Sequence, residues 1–164
     1  MPPGPVHRCP AEWISAGMGG ISPSNGATKA GAYSMILRTN NGCQPFYEVM
    51  GRFFADRAFI KEMDCQLYDS GFEWYLYYDG ENICGFASVE KRDKYTYLDN
   101  FYVFEKYRHK GVGTAIIREI VKDYGTMRAI TRNIYARSIF EEYGFICYGK
   151  NGRYFKMERK TNGQ

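Results

Sequence analysis

Tyr107-Arg-His-Lys-Gly-Val-Gly-Thr-Ala-Ile116 is the stretch on which the reading of this chain turns. An apolar run ahead of it, Leu98-Asp-Asn-Phe-Tyr-Val-Phe104, reads as a strand, and Val112 to Tyr124 behind it reads as an amphipathic helix. Two glycines and a threonine at a strand-to-helix turn leave several backbone N–H groups uncrowded. Such a turn suits phosphate at a helix N-terminus. A Walker phosphate loop requires its lysine after the glycines, and here Lys110 precedes them. A dinucleotide fingerprint requires a third glycine where this chain has Ile116, so only its first half is present. A glycine-eased turn with no ligand is the remaining alternative.

Outward from the turn, the chain alternates between two periodicities. Tyr33 to Arg38 reads as a strand, Thr39–Gly42 as a turn, and Gln44 to Met63 as one helix with Phe46, Met50, Phe53, Ile60 and Met63 near one face. Glu73–Tyr78, Asn82–Lys91 and Lys94–Phe104 read as an antiparallel meander, with Asp79-Gly80 marking a tight hairpin. Beyond the second helix, Met127–Thr131 is a short strand. Asn133–Tyr143 is a helix with an N-cap asparagine and Gly144 as its stop. Phe145–Tyr148 and Arg153–Met157 form a closing hairpin. The order β-α-β-β-β-α-β-α-β-β predicts a mixed α/β or α+β sheet, not an alternating doubly wound one.

At 164 residues, 45% of them hydrophobic, the chain is long and apolar enough for one folded domain. Residues 1–32 differ: five of the six prolines lie between Pro2 and Pro23 among Gly, Ser and Ala. They are read as a loosely ordered arm outside the catalytic fold, which then occupies residues 33–164. A net charge of +4 helps attract a polyanionic cofactor without demanding nucleic acid. With five widely spaced cysteines and only His7 and His109, no zinc site is expected, and free thiols in a reducing cytoplasm fit best. No apolar run is long enough for a membrane span, so a cytoplasmic monomer or homodimer is expected. Fifteen tyrosines suit either a ring-lined cleft or a packed core.

Arg108-His-Lys-Gly111-Val-Gly113 matches Q/R-x-x-G-x-G/A, with Val103 and Tyr107 placed ahead of it as in V-x-x-x-y-R-x-x-G-x-G. Further on, Asn133-Ile-Tyr-Ala136 through Phe140, Gly144 and Phe145 resembles N-x-x-A-x-x-l-Y-x-x-x-G-F. These two linked motifs resemble those of the GNAT superfamily of acyl-CoA-dependent N-acyltransferases, over about residues 35–158. The resemblance implies a GNAT-like fold: a central, mostly antiparallel twisted sheet, flanked by helices and splayed at the cofactor site. It implies acetyl-CoA as donor. Backbone groups of Arg108, His109, Lys110, Gly111, Val112, Gly113 and Thr114 would cradle its pyrophosphate, and both glycines would let backbone approach phosphate. Phe101, Tyr102 and Val103 would pair with the pantetheine arm. Asn133, Ala136 and Phe140 would complete the cofactor site from the second motif.

Phe140 stands where the family pattern places a proton-donating tyrosine. Tyr143 and Tyr135 are the nearest phenols in sequence. For the base, two-residue alternation puts Tyr97 and Asp99 on one strand face, and Asp99 is the leading candidate ahead of Glu73 and Glu90. The implied reaction is acetyl transfer to a primary amine of a small molecule or peptide. The acceptor region would be built by residues 46–68 and 92–95. Two other classes fit the motifs: a non-catalytic acyl-CoA-binding module, marked by Phe140, and a toxin that acetylates aminoacyl-tRNA.

Overall fold

The computed structural model describes residues 34–63, 67–69 and 72–161. The proline-rich arm expected over residues 1–32 lies outside them. β1 (Ser34–Asn40), β2 (Glu73–Asp79), β3 (Asn82–Lys91) and β4 (Thr96–Val103) are antiparallel neighbours in turn. Gly80 makes the β2–β3 turn at a φ of 60° that a side chain rarely adopts. A short 3-10 turn, Glu105–Tyr107, leads into the helix that follows the glycines. β5 (Met127–Thr131) then returns parallel to β4, and the hairpin of β6 (Ile146–Asn151) and β7 (Tyr154–Arg159) closes one sheet of order β1-β2-β3-β4-β5-β7-β6. β4 and β5 are the only parallel neighbours in that sheet. A parallel step needs a crossover, here made by a helix.

The helices divide between the two faces. α1 (Gln44–Ala55) and α2 (Arg57–Met63) cover one, while α3 (Val112–Asp123) and α4 (Ile134–Glu142) cover the other. Gln44–Met63, expected as one helix, breaks at Asp56. There the backbone is extended, and Asp56 Oδ1 accepts from the N–H groups of Ala58 (2.9 Å) and Phe59 (3.1 Å). That is an N-cap, and it starts α2. Periodicity hides the break because both helices bury aromatic rings in one cluster, Phe53 and Phe59 with centroids 5.0 Å apart.

Trp74, Phe86, Phe46, Met50 and Leu76 complete that aromatic core. The other core is aliphatic: Ile116, Ile117, Ile120, Val89, Leu98, Met127 and Met157, with Phe140 and Phe145. Each face therefore has its own apolar filling, and the sheet is the wall between them. Cys43 is disulfide-bonded, contrary to the expectation of free thiols throughout, whereas Cys84 and Cys147 are free. Sequence spacing carries no information on which distant thiols the fold brings together. No helix among the described residues is long and apolar enough to cross a membrane.

Candidate active site

Pairing between β4 and β5 stops early. Thr96, Tyr97 and Leu98 face Met127, Arg128 and Ala129, yet β4 continues to Val103 and β5 to Thr131. A bulge in β4 accompanies the split. The register against β3 shifts between Phe86 and Ser88, and Asn100 takes a φ of 49°. The bulge resets which face each side chain meets. Leu98, Phe101 and Val103 pack in the aliphatic core, whereas Tyr102 and Phe104 pack in the aromatic one. Asp99, opposite Ser88, is on the Tyr97 side, as alternation predicted.

Phe104 donates its N–H to the Cys84 carbonyl at 2.9 Å. Alternation then turns the peptide groups of Val103 and Phe101 away from β3, toward the split. A cavity of about 660 Å³ fills that space. It is bounded by β4 from Leu98 to Val103, the glycine turn, the first turn of α3, residues 130–133, one side of α4, and Glu62 and Met63 at the end of α2.

The glycine turn ends on Gly111, the N-cap of α3, at a φ of 81° and with no capping side chain. The first N–H groups of α3 thus lack side-chain partners and carry the positive end of the helix dipole. A Cβ at Gly111 would meet nothing within 4 Å, so its requirement is conformational, in an open setting. Gly113 is different. A Cβ there would lie 2.9 Å from Phe101 Cζ and 3.1 Å from Ile139 Cδ1. Close packing of α3 on β4 and α4 thus favours glycine here, a reason beyond the phosphate access expected of both glycines.

Val112, Gly113, Thr114, Gly111, Arg108 and His109 all line the cavity; Lys110 does not. Arg108 turns back into the protein. Its Nε donates to the Val103 carbonyl (2.9 Å), its Nη2 to Glu62 (3.1 Å), and its guanidinium lies over the Tyr102 ring. Tyr102 Oη also donates to Glu62 (2.7 Å). Burial and this bond to a carboxylate push the Tyr102 hydroxyl up to about 12. His109 sits edge-on to Tyr135, with centroids 5.2 Å apart. From the second motif, Asn133, Ala136 and Phe140 line the cavity. Asn133 also caps α4 by accepting from Tyr135 N–H (2.8 Å) and Ala136 N–H (3.2 Å). Phe140 is buried against Phe101 and Phe145.

Of the candidate catalytic residues, only Asp99 lines the cavity. Burial raises its carboxyl above the ordinary value, with the Asn100 backbone N–H and Arg92 working against that rise and Glu90 adding to it. Tyr97 stands beside it on the same face. Burial, then the Asp99 charge, push its hydroxyl up to about 12. Tyr143 is at the C-cap of α4, packed against the aliphatic core, with its carbonyl holding Arg159; it does not reach the cavity. Glu73 is engaged with Arg38 and Tyr124, and Glu90 with Arg92, both away from the cavity.

Several lining residues were not read from sequence. Ile139 lies three residues from Ala136, and helical spacing from that alanine would have found it; Tyr135 and Ser138 line the cavity from exposed positions beside that face. Glu62 and Met63 fall within the 46–68 stretch expected to build the acceptor region, whereas Ile130 and Tyr154 arrive only through tertiary packing. Among the described residues, no group of three or more His, Cys, Asp or Glu side chains is placed to hold a metal.

The family model described as "Acetyltransferase (GNAT) family" matches residues 36–145. No curated protein matches the sequence. Among solved structures the chain is similar to an IAA acetyltransferase from Bacillus cereus, with 14% identity, TM-score 0.57, and coverage of 77% of this chain and 98% of that one. It is similar to a GNAT family acetyltransferase from Elizabethkingia anophelis with acetyl-CoA bound, with 17% identity, TM-score 0.56, and coverage of 77% and 97%. A third is the ribosomal-protein-S18-alanine N-acetyltransferase from Escherichia coli, with 16% identity, TM-score 0.55, and coverage of 80% and 97%. Similarity at this level of identity speaks to the fold.

Proposed function

The chain belongs to the acetyltransferase (GNAT) family, and from that premise we propose that it transfers an acetyl group from acetyl-CoA to a primary amine of a small molecule or peptide. One observation carries the reading. A single cavity in the β4–β5 split joins the uncapped N-terminus of α3 to Asp99 on β4.

The residues present fit the donor. Uncapped N–H groups at the start of α3 suit a pyrophosphate, and open space beside Gly111 admits it. Peptide groups of Phe101 and Val103 turned into the split suit an extended pantetheine arm pairing as an added strand would. Arg108 already occupies the Val103 carbonyl, which leaves the Val103 N–H and the Phe101 peptide for that role. Acetyl-CoA supplies the acetyl group as a thioester. Structural neighbours with acetyl-CoA or coenzyme A bound support this donor.

Asp99 accepts the proton that the amine loses as its nitrogen bonds the acetyl carbon and the carbon–sulfur bond breaks. A carboxylate raised by burial is a better base than an exposed one. Holding amine and thioester together supplies much of the remaining acceleration. Phe140 has no proton to give and Tyr143 is remote; the coenzyme A thiolate is a fair leaving group and takes its proton from water, with Tyr135 the one of the two nearby phenols that lines the cavity.

The test is release of coenzyme A from acetyl-CoA against a panel of amines, aminoglycosides and peptides. Transfer is expected with at least one acceptor, falling by about a hundredfold in Asp99→Asn, the usual range for losing a general base. An unchanged rate in that variant removes Asp99 as base. Phe140 favours one other reading, an acyl-CoA-binding module without turnover. Tight acetyl-CoA binding with no thiol release from any acceptor would support it.

A further inference from the structure

Asn100 occupies the centre of the β4 bulge at a φ of 49° and is only 3% exposed. Asparagine enters the left-handed region more readily than most residues, and glycine more readily still. Across the strand pair its Nδ2 donates to Ser88 Oγ at 2.7 Å, and Ser88 is itself fully buried. Its backbone N–H donates to Asp99 Oδ1 at 2.8 Å. Its own Oδ1 is buried with no donor among the described residues. A buried oxygen without a partner is a standing energetic cost. Glycine would meet the backbone requirement without it. What the amide adds is the bond to Ser88, which ties the bulge to one register of β3.

We propose that Asn100 is the positioning residue for the base: its bond to Ser88 locks the β4 bulge, and the locked Asn100 N–H holds one oxygen of Asp99 so that the other is presented to the acceptor amine. The base role rests on the acyl-transfer reading above. The lock is a matter of geometry and can be measured with no acceptor present.

The charged and titratable groups acting on Asp99 are Glu90 and Arg92 from β3 and the turn after it and Tyr97 on its own strand, with Arg128 on β5 opposite Tyr97. Tyr148 on β6 acts on Tyr97, and Glu62 from α2 lines the same cavity. None of these is altered in the variants that follow.

The experiment is a carbon-13 carboxyl titration of Asp99 by NMR in the full chain and in two variants. Ser88→Ala removes only the anchor, and Asn100→Gly keeps the backbone conformation while removing the amide. A released Asp99 loses a hydrogen bond that favours its ionised form. Its midpoint is therefore expected to rise by about half a pH unit or more in both variants. Asn100 borders the cavity and adjoins Phe101, so coenzyme A affinity is measured alongside and is not the control. With an accepted amine, kcat at saturating acetyl-CoA is expected to fall about tenfold. Midpoints unmoved in both folded variants would overturn the lock. Moved midpoints with undiminished kcat would overturn the positioning role. Absence of any acetyl transfer by the unaltered chain would defeat the acyl-transfer reading, and the base role with it, while the titration still decides the lock.

Discussion

Burial lifts the Asp99 carboxyl above its ordinary value of 3.8, Glu90 adds to the rise, and the Asn100 N–H and Arg92 restrain it. The sign for activity follows from which form works. Only ionised Asp99 accepts a proton, so the rate is lost as pH falls through its pKa. A raised pKa places that loss at higher pH than an ordinary carboxylate would. The acid limb of kcat/KM is thus expected above the ordinary carboxylate range and shifted in Asp99→Asn, read from a pH–rate profile at saturating acetyl-CoA. A limb at or below the ordinary value would contradict a buried base. That Asp99 shares a strand face with Tyr97 was legible because alternation along a strand fixes a face without tertiary information. The course of the Arg108 side chain was not, because a long side chain takes whichever carboxylate and carbonyl the fold sets nearby, here Glu62 and Val103. Tyr143 failed for a related reason: it lies near the motif in sequence, yet at the C-cap its ring turns to the core.

The strand, turn and helix around the glycines were readable because each carries its own local signal. Helix starts are set by short-range chemistry, as at Asn133, whose side chain satisfies two N–H groups of α4. Asn133→Ala is expected to lower stability by about 1 kcal/mol, measured by urea unfolding. A neutral result would mean that packing of Ala136 and Phe140 alone holds the helix. Sequence periodicity misled where one core serves two elements, as at Asp56, where Phe53 and Phe59 continue a single apolar face across a helix break. It was also blind to the β4 bulge. The adjacent polar pair Asp99-Asn100, with Leu98 and Phe101 three residues apart on one core, breaks the two-residue rule. It leaves a trace in the sequence, but the bulge itself needs β3 and Ser88 to exist.

Taken as a molecule, the chain is one sheet with an aromatic core on one side and an aliphatic core on the other, and a polar cluster ties strands to helix far from the cavity. Arg38 on β1 donates to Glu73 on β2 at 2.5 Å and to Asp123 at the end of α3 at 3.2 Å. Tyr124 also hydrogen-bonds Glu73, and Tyr75 bonds Asp123 at 2.9 Å. Burial pushes Glu73 upward, but its bonds from Tyr124 and Arg38 prevail and hold its carboxyl below the ordinary value. A depressed carboxylate adds stability above its unfolded pKa and loses that contribution as pH falls through its folded pKa. With Arg38 and Glu73 both 41% exposed, solvent screening limits the gain. Glu73→Gln is expected to cost less than about 1 kcal/mol at neutral pH, to flatten the acid side of the stability curve, and to leave acetyl-CoA affinity unchanged. The wide split, by contrast, is a property of the whole sheet. Its two motifs were visible in sequence, while the cavity between them required β5 to part from β4 after Leu98. Whether acetyl-CoA occupies that cavity is the claim on which everything else depends. Calorimetric titration of acetyl-CoA tests it most directly, using the unaltered chain and Ser138→Trp, which fills the cavity from an exposed position on α4. One equivalent bound by the unaltered chain, weakened about tenfold or more by the tryptophan, is the predicted result; no binding, or binding indifferent to Ser138→Trp, would contradict it.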